Sequence, residues 1–138
     1  MLFPARMRPN ALDEERIVMD IIEKWFNEPG YAPVVYTGTE TIAGRAFEAS
    51  LPFVRVGRTG GAPDGPDDHP VVDIDVLAMT RNEAKDIALT IMSLLETKPY
   101  PIDELNVLMA PQKVEWIEGS PIRRFYASYH LTLRRPSA

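Results

Sequence analysis

The stretch that decides the fold is Arg123-Arg124-Phe125-Tyr126-Ala127-Ser128-Tyr129-His130-Leu131-Thr132-Leu133-Arg134-Arg135. Apolar and polar side chains alternate along it, which is the pattern of a β-strand with one buried face. The apolar face carries Phe125, Ala127, Tyr129, Leu131 and Leu133. Such a strand is typical of an antiparallel sheet that packs one face and leaves the other in solvent. We therefore predict a final strand over about 123–135.

A second strand and a helix precede it. The run Val71–Met79 alternates in the same way and predicts a strand. Thr80 and Glu83 then form a capping box, in which each side chain satisfies a backbone donor at the start of a helix. The apolar stripe that follows predicts a helix over about 81–96.

The first helix is predicted over about 11–27. Asn10 is a good N-cap, and apolar residues recur after it at helical spacing up to Trp25 and Phe26. At that spacing both aromatic side chains are expected in the core. Pro29 and Gly30 end the helix.

The remaining strands give weaker signals. A short β-branched run predicts a strand at 34–37, and 47–58 reads as a peripheral strand because Pro52 interrupts it. The segment 59–70 is rich in Gly, Pro and Asp, which predicts a long exposed loop. Two further short strands are predicted at 106–109 and 113–118.

These elements predict an α+β fold. Strand runs interrupted by two separated helices suit a single, mostly antiparallel (mixed) β-sheet with two α-helices packed on one face. With 138 residues, the chain is expected to form a single domain over 1–138.

Composition excludes several classes of protein. The chain has no cysteine, so disulfides, thiolate metal sites and a cysteine nucleophile are excluded. Its most apolar run, 87–95, is far shorter than the ~20 residues that cross a bilayer, so no membrane association is expected. The first six residues lack the apolar core of a secretory signal, so synthesis and assembly in the cytoplasm are expected.

Charge is unevenly distributed along the chain. The net charge is −5, and the segment 62–79 contains five acids and no Lys or Arg, so the rest of the chain is balanced. These acids are Asp64, Asp67, Asp68, Asp73 and Asp75. The final strand carries arginines and no acid. Basic side chains that could contact phosphate or pair with a neighbouring copy are Arg55, Arg58, Arg123, Arg124, Arg134 and Arg135.

The nearest approach to a catalytic or metal site is His69 with Asp73 and Asp75. Carboxylates two residues apart on a strand point the same way, so they could share a divalent ion in a small metal-dependent hydrolase or nuclease. The alternative, that they form the solvated side of a half-buried strand, is favoured because the Lys or Glu that would complete a nuclease site is missing nearby. We therefore predict no metal, no cofactor and no enzymatic activity.

Five segments in this order resemble the tail terminator proteins of long-tailed (siphovirus-like) bacteriophages, especially those of actinobacterial phages. They are the N-terminal helix, the sequence 51–61, the Asp-rich segment ahead of 71–76, the capped helix start 80–84 and the strand start 123–129. Together they cover most of the chain.

The resemblance implies a non-enzymatic virion protein of the tail or neck. Such a protein forms a ring, expected to be a hexamer, on the end of the tail tube, where it stops polymerisation and joins the tube to the head–tail connector. Genomic DNA would pass through the lumen without sequence-specific binding. Another neck or head-closure protein of the same virion is the alternative.

Ring closure needs one patch of each subunit to meet a different patch of the next. We therefore expect the acidic segment 64–75 of one copy to face Arg123 and Arg124, or Arg134 and Arg135, of its neighbour. In the alternative placement some of these acids line the lumen, where they would repel transiting DNA.

Overall fold

The computed structural model describes residues 13–27, 30, 34–40, 50–64 and 67–134, and for 61–64, 67 and 68 it describes the backbone alone. It contains one mixed sheet of five strands and two helices, so the predicted α+β class is confirmed. The elements are α1 (Glu14–Phe26), β1 (Tyr36–Gly38), β2 (Phe53–Asp64), β3 (Asp67–Ala78), α2 (Arg81–Glu96), β4 (Ile102–Val114) and β5 (Arg123–Arg134).

The strand order in the sheet is β1-β2-β3-β5-β4. The β1–β2 pair is parallel and the other three pairs are antiparallel. The predicted final strand is confirmed as β5, which lies between β3 and β4. Its alternation also holds, because the apolar side chains predicted for its buried face are all buried.

Both helices pack on the same face of the sheet, which we call the helix face. Val18 and Ile22 of α1 and Ile87 and Ile91 of α2 share one core with the apolar side chains of β2, β3 and β5. Burial of a side chain of this size stabilises the fold by about 1.5–3 kcal/mol. Trp25, in contrast, is 64% exposed, so the prediction that it lies in the core is wrong. Its side chain borders an open groove together with Leu94 and Tyr100, and it is not part of the core shared with the sheet.

The helix starts are capped by side-chain oxygens. The hydroxyl of Thr80 accepts a hydrogen bond from the backbone N–H of Glu83 at 3.2 Å, as the capping box predicts. At α1 the N-cap is Asp13, whose carboxylate accepts from the backbone N–H of Arg16 at 3.0 Å. The predicted N-cap, Asn10, lies outside the described residues. No helix in the described ranges has the length and apolar content to span a membrane.

The predicted loop at 59–70 is wrong, because β2 continues to Asp64 and β3 begins at Asp67, so these strands form a hairpin. The composition of 59–70 gave a wrong prediction because backbone hydrogen bonds hold a strand in a sheet even where its side chains bury little apolar surface. Here β5 pairs with β3 as far as Asp67, and β3 in turn pairs with β2. A register shift between Arg58 and Gly60 accommodates one extra residue as a bulge.

Two further strand predictions are corrected. β2 is not peripheral, since it lies between β1 and β3, and Pro52 precedes it and accepts a hydrogen bond from the backbone of Tyr36. The strands predicted at 106–109 and 113–118 are replaced by the single strand β4. β4 lies at the edge of the sheet, and register shifts around Met109 accommodate Pro111, which an edge strand tolerates.

Neither of the two described helices packs on the other side of the sheet, which we call the open face. One end of this face is closed by a small apolar cluster of Phe53, Leu77 and Ile122, against which Trp116 packs. Next to that cluster, polar and charged side chains of β2, β3 and β5 lie side by side, because residues in register on antiparallel strands share a face.

Candidate functional site

The centre of the open face is the carboxylate of Asp75, which is only 5% exposed. Arg55, directly opposite on β2, donates to Oδ2 from Nη2 at 2.6 Å and from Nε at 3.1 Å. Arg124 on β5 donates from Nε to Oδ1 at 2.6 Å. Each oxygen of one buried carboxylate is thus bound by a different guanidinium. We call Arg55, Asp75 and Arg124 the arginine cluster.

Aromatic rings flank both guanidinium groups. The Cζ atom of Arg55 lies 5.4 Å from the ring centroid of Trp116, and that of Arg124 lies 5.7 Å from the ring centroid of Tyr126. Both distances are within the range of a cation–π contact. The carboxylate and the rings together restrict the arginine side chains, which otherwise have many rotamers.

A second carboxylate on the open face, Asp73, accepts a hydrogen bond from the hydroxyl of Ser128 at 2.8 Å. Burial raises the pKa of the Tyr126 phenol, and the adjacent Asp73 carboxylate raises this pKa further because it favours the neutral, hydrogen-donating phenol. The phenol is therefore a hydrogen-bond donor at neutral pH. The Asp73 carboxylate thus accepts hydrogen bonds from neutral hydroxyl groups, whereas the Asp75 carboxylate accepts them from two cationic guanidinium groups.

The arginine cluster borders a shallow cavity of about 340 Å³ on the open face. Its lining residues are Thr39, Arg55, Gly57, Thr59, Asp73, Asp75, Arg124 and Tyr126. Within the described residues, Nη1 of Arg55 and both Nη atoms of Arg124 have no hydrogen-bond acceptor. Guanidinium N–H groups are strong donors to carboxylate and phosphate oxygens, so the arrangement can bind an oxyanion.

The predicted metal-binding residues His69, Asp73 and Asp75 do not come together in the structure. His69 Nδ1 lies 3.2 Å from Oγ1 of Thr132 on the neighbouring strand, and the two carboxylates are bound as described above. His69 and Asp75 are six residues apart on β3, which is roughly 20 Å. No group of three or more His, Asp or Glu among the described residues could hold a metal ion. The alternative of a metal-dependent hydrolase at His69, Asp73 and Asp75 therefore has no structural support.

The other predicted interface arginines are dispersed. Arg58 lies on the helix face, where its Nη1 donates to Oε1 of Glu14 at 2.9 Å and ties α1 to β2. Arg123 donates to the backbone carbonyls of Ser120 and Pro121. Arg134 pairs with Asp103 at 3.2 Å in a largely exposed ion pair. Arg135 lies outside the described residues.

The acidic residues are divided as well. Asp75 and Arg124 pair with each other inside one chain, and their expected contact with a neighbouring copy stays a prediction. Asp64 and Asp67 face each other in the register of the β2–β3 hairpin, with Asp68 next to them. Their side chains lie outside the described part of the structure, so the expected contact between copies stays a prediction for these three residues.

A further candidate surface is the edge strand β4, which was not singled out from the sequence. Among the described residues, no strand pairs with its outer side. Val107, Leu108 and Met109 lie near its middle and are 41%, 55% and 41% exposed. The available signal was an uncharged, apolar run in a strand at the edge of a sheet, but the sequence does not give the strand order.

No protein-family model matches the chain, and no curated protein matches its sequence. The chain is similar to a solved structure described as "Virion of native gene transfer agent (GTA) particle". The likeness covers 94% of this chain and 91% of that chain, at 14% sequence identity and a TM-score of 0.47. Similarity at this level assigns no function.

Proposed function

We propose that this chain is a structural protein of a phage-like virion, and specifically a tail terminator. In this role, copies of the chain form a ring, expected to be a hexamer, that caps the tail tube and presents a surface to the head–tail connector. DNA passes through the lumen without sequence-specific contacts. The order of the five sequence segments that resemble this family supports the proposal.

The observation that carries the proposal is the long edge strand β4, whose outer side pairs with no strand among the described residues. Backbone donors and acceptors along an exposed edge are a template for another chain, and soluble proteins usually protect such an edge with charge or Pro. β4 has Pro111 and Lys113 in its second half, but its run 106–110 is uncharged and includes three exposed apolar residues. A partner on this edge would pair the backbone and cover these side chains.

A ring requires a heterologous contact, in which this edge meets a different surface of the next copy. The open face offers such a surface, since it is polar and aromatic and carries no described helix. The acids of the β2–β3 hairpin have two possible places in the ring. They either contact a neighbouring copy or line the lumen, where they keep DNA from adhering.

The test is the assembly state of the purified protein by negative-stain electron microscopy and light scattering. We expect rings of uniform size for the native chain. Leu108→Lys places a charge on the edge, so subunit association should weaken by about tenfold or more, the effect of losing roughly 1.4 kcal/mol of contact energy. A protein that stays monomeric at the highest soluble concentration contradicts the proposal.

The matched control is Leu89→Lys on α2, which changes the same residue type at an exposed position away from the edge strand. This variant should form rings as the native chain does. Equal losses in both variants would show that the added charge, rather than the edge, is responsible.

A neck or head-closure protein of the same virion is the alternative from the same class. The two roles differ in partner and can be separated by mixing the purified ring with assembled tail tubes and with connectors. A terminator binds tube ends and stops tube growth in the absence of the connector. A head-closure protein binds the connector and leaves tube growth unchanged.

A further inference from the structure

The two ends of the sheet differ in chemistry. At one end, which we call the hairpin end, lie the end of β2, the start of β3, the start of β4 with Asp103 and Glu104, and Arg134 of β5, which is in register with Asp67 and pairs with Asp103. Asp64, Asp67 and Asp68 belong to this end by their strand positions. Arg55 and Arg124 lie toward the other end, because Arg55 is near the start of β2 and Arg124 is near the start of β5.

The two ends cannot contact each other within one chain. Arg55 and Asp64 are nine residues apart on the same strand, which corresponds to roughly 30 Å at about 3.3 Å per residue. A contact between the hairpin acids and the arginine cluster must therefore involve two copies. Because the two patches lie at different ends of the subunit, the contact is heterologous, as ring closure requires.

The arginine cluster is already organised to receive a carboxylate. Asp75 binds both guanidinium groups, while the Nη1 atom of Arg55 and both Nη atoms of Arg124 have no described acceptor, and both arginines line the cavity. The rings of Trp116 and Tyr126 lie close to the two guanidinium groups and restrict their motion. Little side-chain entropy remains to be lost on binding, which favours association.

We propose that Arg55 and Arg124 form a carboxylate receptor that binds the aspartates of the β2–β3 hairpin end, Asp64, Asp67 and Asp68, of a second copy of this chain. The proposal rests on the ring of the proposed function and names the charged contact that sets its register. Opposite charges fix orientation and association rate in such a contact more than they add affinity.

The surroundings of the receptor favour a side-chain carboxylate over nucleic-acid phosphate. Asp73 and Asp75 lie beside the two arginines, and Glu115 and Glu118 are exposed in the loop that follows β4. A run of phosphates would meet these acids as well as the arginines, and proteins that bind nucleic acid usually present a basic face. A single aspartate side chain can enter between them and use two parallel N–H donors.

The test combines two substitutions in a double-mutant cycle, read by analytical ultracentrifugation of the full-length chain. The triple variant Asp64→Asn, Asp67→Asn, Asp68→Asn should weaken subunit association by about tenfold or more, and Arg124→Gln should do the same. The variant that combines all these substitutions should lose little more association free energy than the hairpin variant or Arg124→Gln alone, because both changes remove the same contact. Association of the native chain should also weaken as salt is raised from about 0.1 M to 1 M.

A matched control removes three acids elsewhere, through Asp20→Asn, Glu83→Gln and Asp86→Asn on the exposed sides of the helices. This variant has the same net charge as the hairpin variant and should associate like the native chain. Because Arg124→Gln also removes a partner of Asp75, the hairpin variant decides the matter if Arg124→Gln fails to fold.

Native association in the hairpin variant, with rings still formed, overturns this contact and leaves the proposed function intact. Fully additive losses in the cycle also overturn it. A native chain that does not associate at all overturns the proposed function and this inference together. Binding of single-stranded DNA that Arg124→Gln abolishes would replace the carboxylate with phosphate and so overturn the proposal.

Discussion

Arg124 and Asp75 form an ion pair inside one chain, with Nε of the arginine 2.6 Å from Oδ1 of the carboxylate. The two residues come from separate regions of charge along the sequence, one acidic and one basic. Part of the charge separation along the sequence therefore stabilises the fold, because this ion pair joins β5 to β3. The contact proposed above uses the hairpin acids and the arginine N–H groups that have no described acceptor.

The first prediction concerns the carboxylate of Asp75. Asp75→Asn leaves two guanidinium groups beside a neutral amide, and each loses a charge-assisted hydrogen bond. Both arginines stay partly exposed and regain some hydration, so we expect a loss of about 1–3 kcal/mol in the free energy of unfolding. Urea unfolding followed by circular dichroism measures it.

The control for that prediction is Asp103→Asn. Asp103 pairs with Arg134 at 3.2 Å, but both side chains are largely exposed. An exposed pair contributes at most about 1 kcal/mol. Equal losses in the two variants would contradict the view that Asp75 organises the open face.

The second prediction concerns the phenol of Tyr129. This residue is 1% exposed, and its hydroxyl has no hydrogen-bond partner among the described residues. An unsatisfied buried hydroxyl costs about 1–3 kcal/mol, so Tyr129→Phe should leave the free energy of unfolding unchanged or raise it by about 1 kcal/mol. Thermal unfolding at neutral pH measures it. A clear loss of stability would show that the hydroxyl has a partner.

The third prediction is the pH dependence that follows from the same phenol. Burial, and next the charge of Glu96, raise the pKa of Tyr129 well above the ordinary tyrosine value of 10.0. The folded chain then keeps a proton that the unfolded chain releases, so this contribution to stability is complete below about pH 10 and decreases as pH rises beyond it. Tyr129→Phe should flatten the decline above pH 10 in urea unfolding.

The comparison for the third prediction is Tyr126→Phe. The Tyr126 pKa is raised in the same direction, but this residue is only half-buried. Its substitution should flatten the decline less than that of Tyr129. A steeper effect at Tyr126 would contradict the role of burial.

The sequence predicted those elements whose signal is local. The alternation in β5 and the capping box at Thr80 located both elements to within about a residue of their observed bounds. The buried face of a strand and the capped start of a helix are each determined by residues only a few positions apart in the sequence. The predicted sheet with two helices on one face follows from the same local patterns.

The rest depends on contacts between distant residues. Arg55 and Arg124 are 20 and 49 residues from Asp75 in the sequence, and only the strand order and register bring them together. The strands within 59–70 could not be predicted for a related reason. They depend on pairing with β5, a strand more than 50 residues further along the chain, and the composition of the segment carries no sign of that pairing. Trp25 has the helical spacing of a core residue, but it borders an open groove and is largely exposed.

The last prediction compares two glycines in adjacent strands. A Cβ atom added at Gly38 in β1 would lie 2.9 Å from Cζ of Phe53 and 3.2 Å from the backbone carbonyl of Glu40. Phe53 is buried in the small cluster on the open face, so its ring has little room to move. Gly38→Ala should therefore lower the free energy of unfolding by about 1–3 kcal/mol, the usual cost of overpacking.

At Gly57 in β2 the nearest atom to an added Cβ is Oε2 of Glu15 at 4.0 Å. Gly57→Ala removes backbone freedom from the unfolded chain and should be neutral or stabilising by up to about 1 kcal/mol. Urea unfolding of the two variants side by side should show a loss of stability for Gly38→Ala alone if the close approach of β1 to Phe53 is correct, and equal values would refute it.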